Sequence, residues 1–319
     1  MTKDEKKPIE NEYIINSGML DVGNGHKIYW VDWGNRNATI PIFHIHGGPG
    51  GGFDEGDFDR FDPKVHRVVF HDQRGSGRSI PFASTQHNTS SDLVSDIDTL
   101  RTELGFGKIS LYGFSWGSTL SLLYAIKHPH VIEKMLIGGI FLGRKADRDF
   151  YLNGQIASHF PEVWERFIST VPESERHDVS GYYKRMLFGD DELVRKKFAK
   201  EWMMYESSIL KLDFRPEKIE SDLKDFASES LAYLEAHYIL NNCFIDENYI
   251  INNIEKLSSI EQIVIVHGRY DFICMPSAAY DLKNALGHNA TLHIIMAGHS
   301  GSDTVQRETV HAYAAMLWQ

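Results

Sequence analysis

The stretch Gly113-Phe114-Ser115-Trp116-Gly117 constrains this chain more than any other. Residues 108–112 before it read as a short buried strand, and residues 118–128 after it read as a helix closed by Pro129. A serine on so tight a strand-to-helix turn sits in strained backbone with its hydroxyl pushed outward. Small residues must flank it, because strand and helix nearly touch there. The adjoining helix N-terminus also favours negative charge developing beside the hydroxyl. Gly-x-Ser-x-Gly recurs by chance; its setting between strand and helix makes Ser115 the candidate nucleophile.

The rest of the chain supplies a matching framework. Residues 12–33 read as a hairpin turning at Val22-Gly23-Asn24-Gly25. Apolar strand patterns recur at 39–46, 67–71 and 134–139. Residues 90–104 carry helical spacing at Leu93, Ile97, Leu100 and Leu104, with serine and aspartate caps at the start. Strands apolar on both faces that alternate with helices describe a mostly parallel sheet with helices on both faces. From about 142 to 245 the alternation stops, and amphipathic helical runs at 161–171, 191–205 and 231–241 replace it. Strand and helix then resume at 262–267, 277–286 and 291–296, with a final helix from about Asp303. The expected organisation is an α/β core of residues 1–140 and 246–319, interrupted by a helical cap of residues 141–245.

At 319 residues such a core needs no disulfide or metal to be stable. Cys243 and Cys274 are far apart and lack Cys-x-x-Cys spacing, which suggests a reducing compartment and no zinc site. The charged start Met1-Thr2-Lys3-Asp4-Glu5-Lys6-Lys7-Pro8 has no apolar core of a signal, and no stretch is apolar enough for a membrane span. A cytoplasmic location follows as an expectation. The net charge of −11 argues against nucleic acid as the main partner.

A serine hydroxyl needs a base, and the base needs a partner that fixes its tautomer. In the α/β-hydrolase fold these follow the serine in the order acid, then histidine, each on a loop after a strand. Asp271, just past the strand at 262–267, and His299, just past the strand at 291–296, fit that order. Either alone has an ordinary reading: Asp271 as a cap for the helix near Pro276, His299 as one of 16 histidines. His267, inside its strand, reads as structural. The oxyanion requires N–H donors, for which the amide of Trp116 and the glycine loop His46-Gly47-Gly48-Pro49-Gly50-Gly51-Gly52 are placed. That loop lacks the Lys-Ser/Thr of a phosphate-binding loop, and His44-x-His46 lacks a third ligand at a telling spacing.

With these residues in view, the chain resembles the proline iminopeptidases (prolyl aminopeptidases) of the α/β-hydrolase serine peptidases, from about residue 12 to the end. The resemblance is carried by His46-Gly47-Gly48-Pro49-Gly50-Gly51, Asp72-Gln73-Arg74-Gly75-Ser76-Gly77-Arg78-Ser79, Gly113-Phe114-Ser115-Trp116-Gly117-Ser118, Gly268-Arg269-Tyr270-Asp271 and Gly298-His299-Ser300. It implies an α/β-hydrolase fold with an inserted helical cap that acts as a lid, and no cofactor. It also implies that Glu206, in Trp202-Met203-Met204-Tyr205-Glu206, and Glu235, in Leu234-Glu235-Ala236-His237-Tyr238, bind the substrate's ammonium group. Gly47 would share that amine through its carbonyl, and the Gly48 amide would join Trp116 in the oxyanion hole. Phe141 and Tyr151 match the family's proline pocket, although aromatics at such spacing are as common in cores. Cys274 reads either as a thiol near the triad or as a buried inert cysteine. The chain departs from the family at Gly138, where arginine is usual before Gly-Ile-Phe, and at Phe114, where glycine is usual.

The implied reaction is release of an N-terminal residue, preferably proline, from short peptides through an acyl-enzyme on Ser115. The alternative is an esterase, lactonase or amidase on the same fold that needs no free amine.

Overall fold

The structure, a computed structural model, describes residues 7–212, 215, 219 and 228–319. Its sheet begins with the expected hairpin, β1 (Ile14–Gly23) and β2 (His26–Gly34), paired antiparallel. Then come β3 (Ile42–Ile45), β4 (Arg67–His71), β5 (Ile109–Phe114), β6 (Ile132–Gly138), β7 (Gln262–Gly268) and β8 (Ala290–Ile295). Among the described residues these form one sheet in the order β1-β2-β4-β3-β5-β6-β7-β8. β2 pairs antiparallel with β4, and every pairing from β4 to β8 is parallel. Parallel neighbours need crossovers, so the loops after β3, β5, β7 and β8 all open at one edge.

Alternate strand residues feed two cores, as the period of two requires. Phe43, Leu111, Ile137 and Ile265 face one side with α1 (Ser90–Glu103), α2 (Trp116–Lys127) and the later helix Pro276–Leu286. Tyr112, Leu136, Val264 and Val266 face the other, where Phe58, Phe61 and the C-terminal helix Thr304–Leu317 pack. Helix α2 starts at Trp116, directly after the serine, two residues earlier than the sequence pattern suggests.

Between β6 and β7 the described residues contain no strand. Helices α3 (Lys145–Leu152), α4 (Pro161–Ser169), α5 (Val179–Leu187), α6 (Glu192–Leu210) and α7 (Ser228–Ile239) instead build an apolar cluster of their own. Phe167 is its pivot, stacked on Tyr183 at 4.1 Å and on Tyr205 at 4.3 Å between ring centroids. The helical pattern fades after Tyr205, at the serine pair Ser207-Ser208, yet α6 continues to Leu210. Ser208 is buried and its hydroxyl donates to the Met204 carbonyl at 2.6 Å, so it stays in register with the helix. Glu206 therefore projects from helix, not loop. Residues 1–6 of the charged start, and 213–214, 216–218 and 220–227 of the expected cap, lie outside the described residues. Among the described residues no helix is long and apolar enough to cross a membrane.

Candidate active site

Ser115 joins β5 to α2 with φ 58° and ψ −129°, a conformation that costs a residue with a side chain roughly 1–3 kcal/mol. The crowding foreseen from the flanking glycines is real. A Cβ on Gly113 would lie 2.3 Å from the Gly117 carbonyl oxygen, and one on Gly117 would lie 2.1 Å from that of Ile45. The helix can seat its N-terminus beside the serine only because both positions lack a side chain.

The loops after β7 and β8 bring Asp271 and His299 to this serine. Ser115 Oγ donates to His299 Nε2 at 3.0 Å, and His299 Nδ1–H donates to Asp271 Oδ2 at 2.8 Å. The other Asp271 oxygen accepts from the amides of Ile273 at 3.0 Å and Cys274 at 2.8 Å, so it fixes its own loop as well. Burial works against the charged form of His299, but the Asp271 carboxylate outweighs it and holds the imidazole well above its ordinary value. Burial likewise opposes ionisation of Asp271, and the facing His299 brings its pKa below the usual carboxylate value. His267 accepts from the Ile140 amide at Nδ1, 3.0 Å, and its Nε2–H reaches the Cys274 carbonyl at 2.8 Å, tying two loops of the site together. Cys274 is buried, which pushes its thiol up to about 11.

The glycine loop after β3 lies against the nucleophile: a Cβ on Gly47 would come 3.4 Å from Ser115 Cβ. Among the described residues the amides of Gly48 and Trp116 donate to no protein acceptor, which leaves both for a substrate oxygen. The Gly47 carbonyl belongs to the same loop. It lies 2.8 Å from His46 Nδ1 and accepts from the Gly51 amide at 3.4 Å, on the rim of the cavity that holds Glu206.

Sequence reasoning missed Gln73, treating residues 72–79 as a framework loop. Its backbone amide donates to His46 Nε2 at 2.9 Å, and the Gly52 amide donates to Nδ1 at 3.2 Å. Its Nε2 donates to the His46 carbonyl at 2.8 Å, and its Oε1 accepts from Trp116 Nε1 at 3.1 Å. One side chain thus spaces the two loops that carry the candidate oxyanion donors. Its own loop is anchored by the buried Arg74–Asp96 pair, at 2.6 and 2.7 Å. Gln73→Leu leaves two buried partners unmatched, each worth about 1–3 kcal/mol, and lets the donors drift. Steady-state kinetics should show kcat down roughly 10- to 100-fold with little change in KM.

Two cavities meet at Ser115. One is lined by Phe141, Tyr151, Glu235, Trp116, Gly48 and Arg148. The other, of about 270 Å³ and the larger, is lined by Glu206, His299, Gly47, Tyr112, Arg60 and Leu231. The structure thus gathers every site residue read from the sequence around one serine. Glu235 is buried and accepts from Trp202 Nε1 at 3.0 Å, a contact across α6 and α7 that no sequence pattern signals. Burial, and next the adjacent Glu206 carboxylate, raise the Glu235 carboxyl well above its usual range. Glu206 Oε2 and the Tyr151 hydroxyl are buried without a hydrogen-bond partner. Unmatched acceptors beside a shared carboxylate pair make a socket for a group with several N–H donors.

The two departures at 114 and 138 prove to be one arrangement. A Cβ on Gly138 would stand 2.2 Å from the Phe114 ring and 2.1 Å from the Val266 carbonyl oxygen. The Phe114 ring fills the space into which a side chain at 138 would grow. Gly138→Ala is expected to destabilise the protein by about 1–3 kcal/mol, read as a lowered Tm in thermal unfolding.

A mostly parallel sheet, a strained serine at its edge and an acid–imidazole pair on two later loops define an α/β hydrolase. A family model described as alpha/beta hydrolase fold matches residues 40–304, and the chain belongs to that family. A proline iminopeptidase of Neisseria meningitidis is 40% identical over 292 residues, covering 91% of this chain and 92% of its own. One from Arabidopsis thaliana is 35% identical over 318 residues, covering 95% and 83%. Within the α/β hydrolases the chain is therefore a member of the proline iminopeptidase family. The crystal structure of a Mycobacterium smegmatis proline iminopeptidase shares the fold with a TM-score of 0.66 at 15% identity, over 95% of this chain and 97% of that one.

Proposed function

We propose that this chain is a serine aminopeptidase that releases an N-terminal residue, preferably proline, from short peptides. The observation that carries this reading is the buried Glu206–Glu235 pair, with an unpartnered Oε2, opening beside Ser115. A protonated terminal amine leaving water needs opposite charge and hydrogen-bond acceptors to offset its lost hydration. With the amine held there, only the first peptide bond reaches the nucleophile. The names of the relatives agree with this chemistry.

Ser115 Oγ attacks the carbonyl carbon while His299 Nε2 takes its proton, and Asp271 stabilises the imidazolium formed. The amides of Gly48 and Trp116 hold the oxyanion. Collapse breaks the C–N bond, and His299 returns the proton to the leaving amine. A water then attacks the acyl carbon, its proton passing to His299 and on to Ser115 Oγ as the acid departs. Phe141 and Tyr151 form the walls against which the proline ring lies. Helices of residues 141–245 act as the lid that closes this end of the site. The free, buried thiols of Cys243 and Cys274 fit a cytoplasmic location.

The test compares Pro-β-naphthylamide with its N-acetylated form. Acetylation removes the charge and is expected to lower kcat/KM by at least about 100-fold. Equal turnover of the two would transfer the chain to the esterases and amidases that ignore a free amine.

A further inference from the structure

The wall of the larger cavity contains a guanidinium that the proposed mechanism does not use. Arg60 ends the short turn Glu55–Arg60 between β3 and β4, and it lines the same cavity as Ser115, His299 and Glu206. Its Nε donates to Asp57 Oδ1 at 2.9 Å. Asp57 is itself fixed: its other oxygen accepts from the Asp54 amide at 3.0 Å, and His44 Nε2 lies 3.7 Å from Oδ1. This clamp on one edge sets the plane of the guanidinium. Among the described residues no carboxylate or carbonyl accepts from Nη1 or Nη2, and the buried phenol of Tyr112 is the guanidinium's other side-chain partner.

The Nη edge sits close to the chemistry. A Cβ on Gly301 would lie 3.3 Å from Nη1 and 3.4 Å from Nη2, so the guanidinium rests on the backbone two residues past His299. Its side chain is only 27% exposed. A guanidinium sunk this far on a cavity wall, with no carboxylate on Nη1 or Nη2, suits a planar anion. Asp57 offsets part of the charge but occupies only the Nε side.

We propose that Arg60 is a subsite for the C-terminal carboxylate of the leaving peptide, so that di- and tripeptides with a free C-terminus are the favoured substrates. The inference rests on the aminopeptidase reading above and extends it to the far end of the substrate. A short peptide at neutral pH is positive at one end and negative at the other. The cavity mirrors that, with the Glu206 carboxylate on one wall and Arg60 on another. Longer or amidated peptides satisfy the first contact and lose the second.

The experiment measures kcat/KM for Pro-Gly, Pro-Gly-Gly and the C-terminal amide of each, with wild type and Arg60→Gln. For at least one length, wild type should prefer the free acid by roughly tenfold or more, and Arg60→Gln should bring that acid-to-amide ratio close to one. A wild-type ratio near one at both lengths overturns the proposal without any variant, so misfolding of Arg60→Gln cannot rescue it. An acid preference that persists in folded Arg60→Gln, with the fold checked by thermal unfolding, overturns it as well. Arg60→Lys, which keeps the charge but loses the fork, should retain only part of the preference. Failure of the aminopeptidase reading would show separately, as equal turnover of Pro-β-naphthylamide and its N-acetyl form by wild type.

Discussion

Ser115→Ala is expected to lower kcat on Pro-β-naphthylamide by roughly 10⁴-fold or more, with the protein still folded. The hydroxyl bonds to His299, and Ser115 lines both cavities. Alanine keeps the Cβ that the strained turn already accommodates, so stability should hardly change. His299→Ala should cost about as much, and the double variant little more, because the pair acts as a unit. The wild-type pH profile carries a second signature. Asp271 holds the His299 imidazole well above 6.5, and only the unprotonated form can accept the serine proton. The acid limb of kcat/KM should accordingly lie above pH 6.5, activity rising as the pH climbs through the raised value. Substantial activity in purified Ser115→Ala, or an acid limb well below 6.5, would remove the mechanism.

The parts legible in the sequence share a cause. Ser115, Asp271 and His299 each follow a strand whose apolar pattern is plain, and parallel strands end their loops at one edge whatever lies between them. Order along the chain was therefore enough to assemble the three. Gly113 and Gly117 were legible because close approach leaves a residue-type signature. Gln73 was not, since its meaning depends on where two other loops stand: its partners, His46 and Trp116, are 27 and 43 residues away. The Trp202–Glu235 contact is hidden for a similar reason, as the angle between α6 and α7 leaves no periodic trace. Phe114 and Gly138 looked like two independent departures until the ring was seen to occupy the space beside the glycine.

Glu235→Gln tests the other half of the site. The substitution keeps an acceptor for Trp202 Nε1 but removes one of two charges from the socket. Taking away one partner of a buried, hydrogen-bonded charge pair costs about 2–5 kcal/mol. We expect kcat/KM for Pro-β-naphthylamide to fall roughly 10²- to 10³-fold, and the N-acetylated substrate to be affected far less. The pH dependence has a definite sign. Burial and the neighbouring Glu206 raise the Glu235 carboxyl, so in the empty site the pair tends to retain a proton that an arriving ammonium must displace. Lowering the pH through that raised value neutralises the socket and should raise KM for the free-amine substrate, and raising it should restore binding. In Glu235→Gln the raised carboxyl is gone, so this limb should disappear. An equal loss on both substrates would instead mean that Glu235 only supports the packing of α6 on α7. A limb that stays in place would mean that the proton belongs to another group.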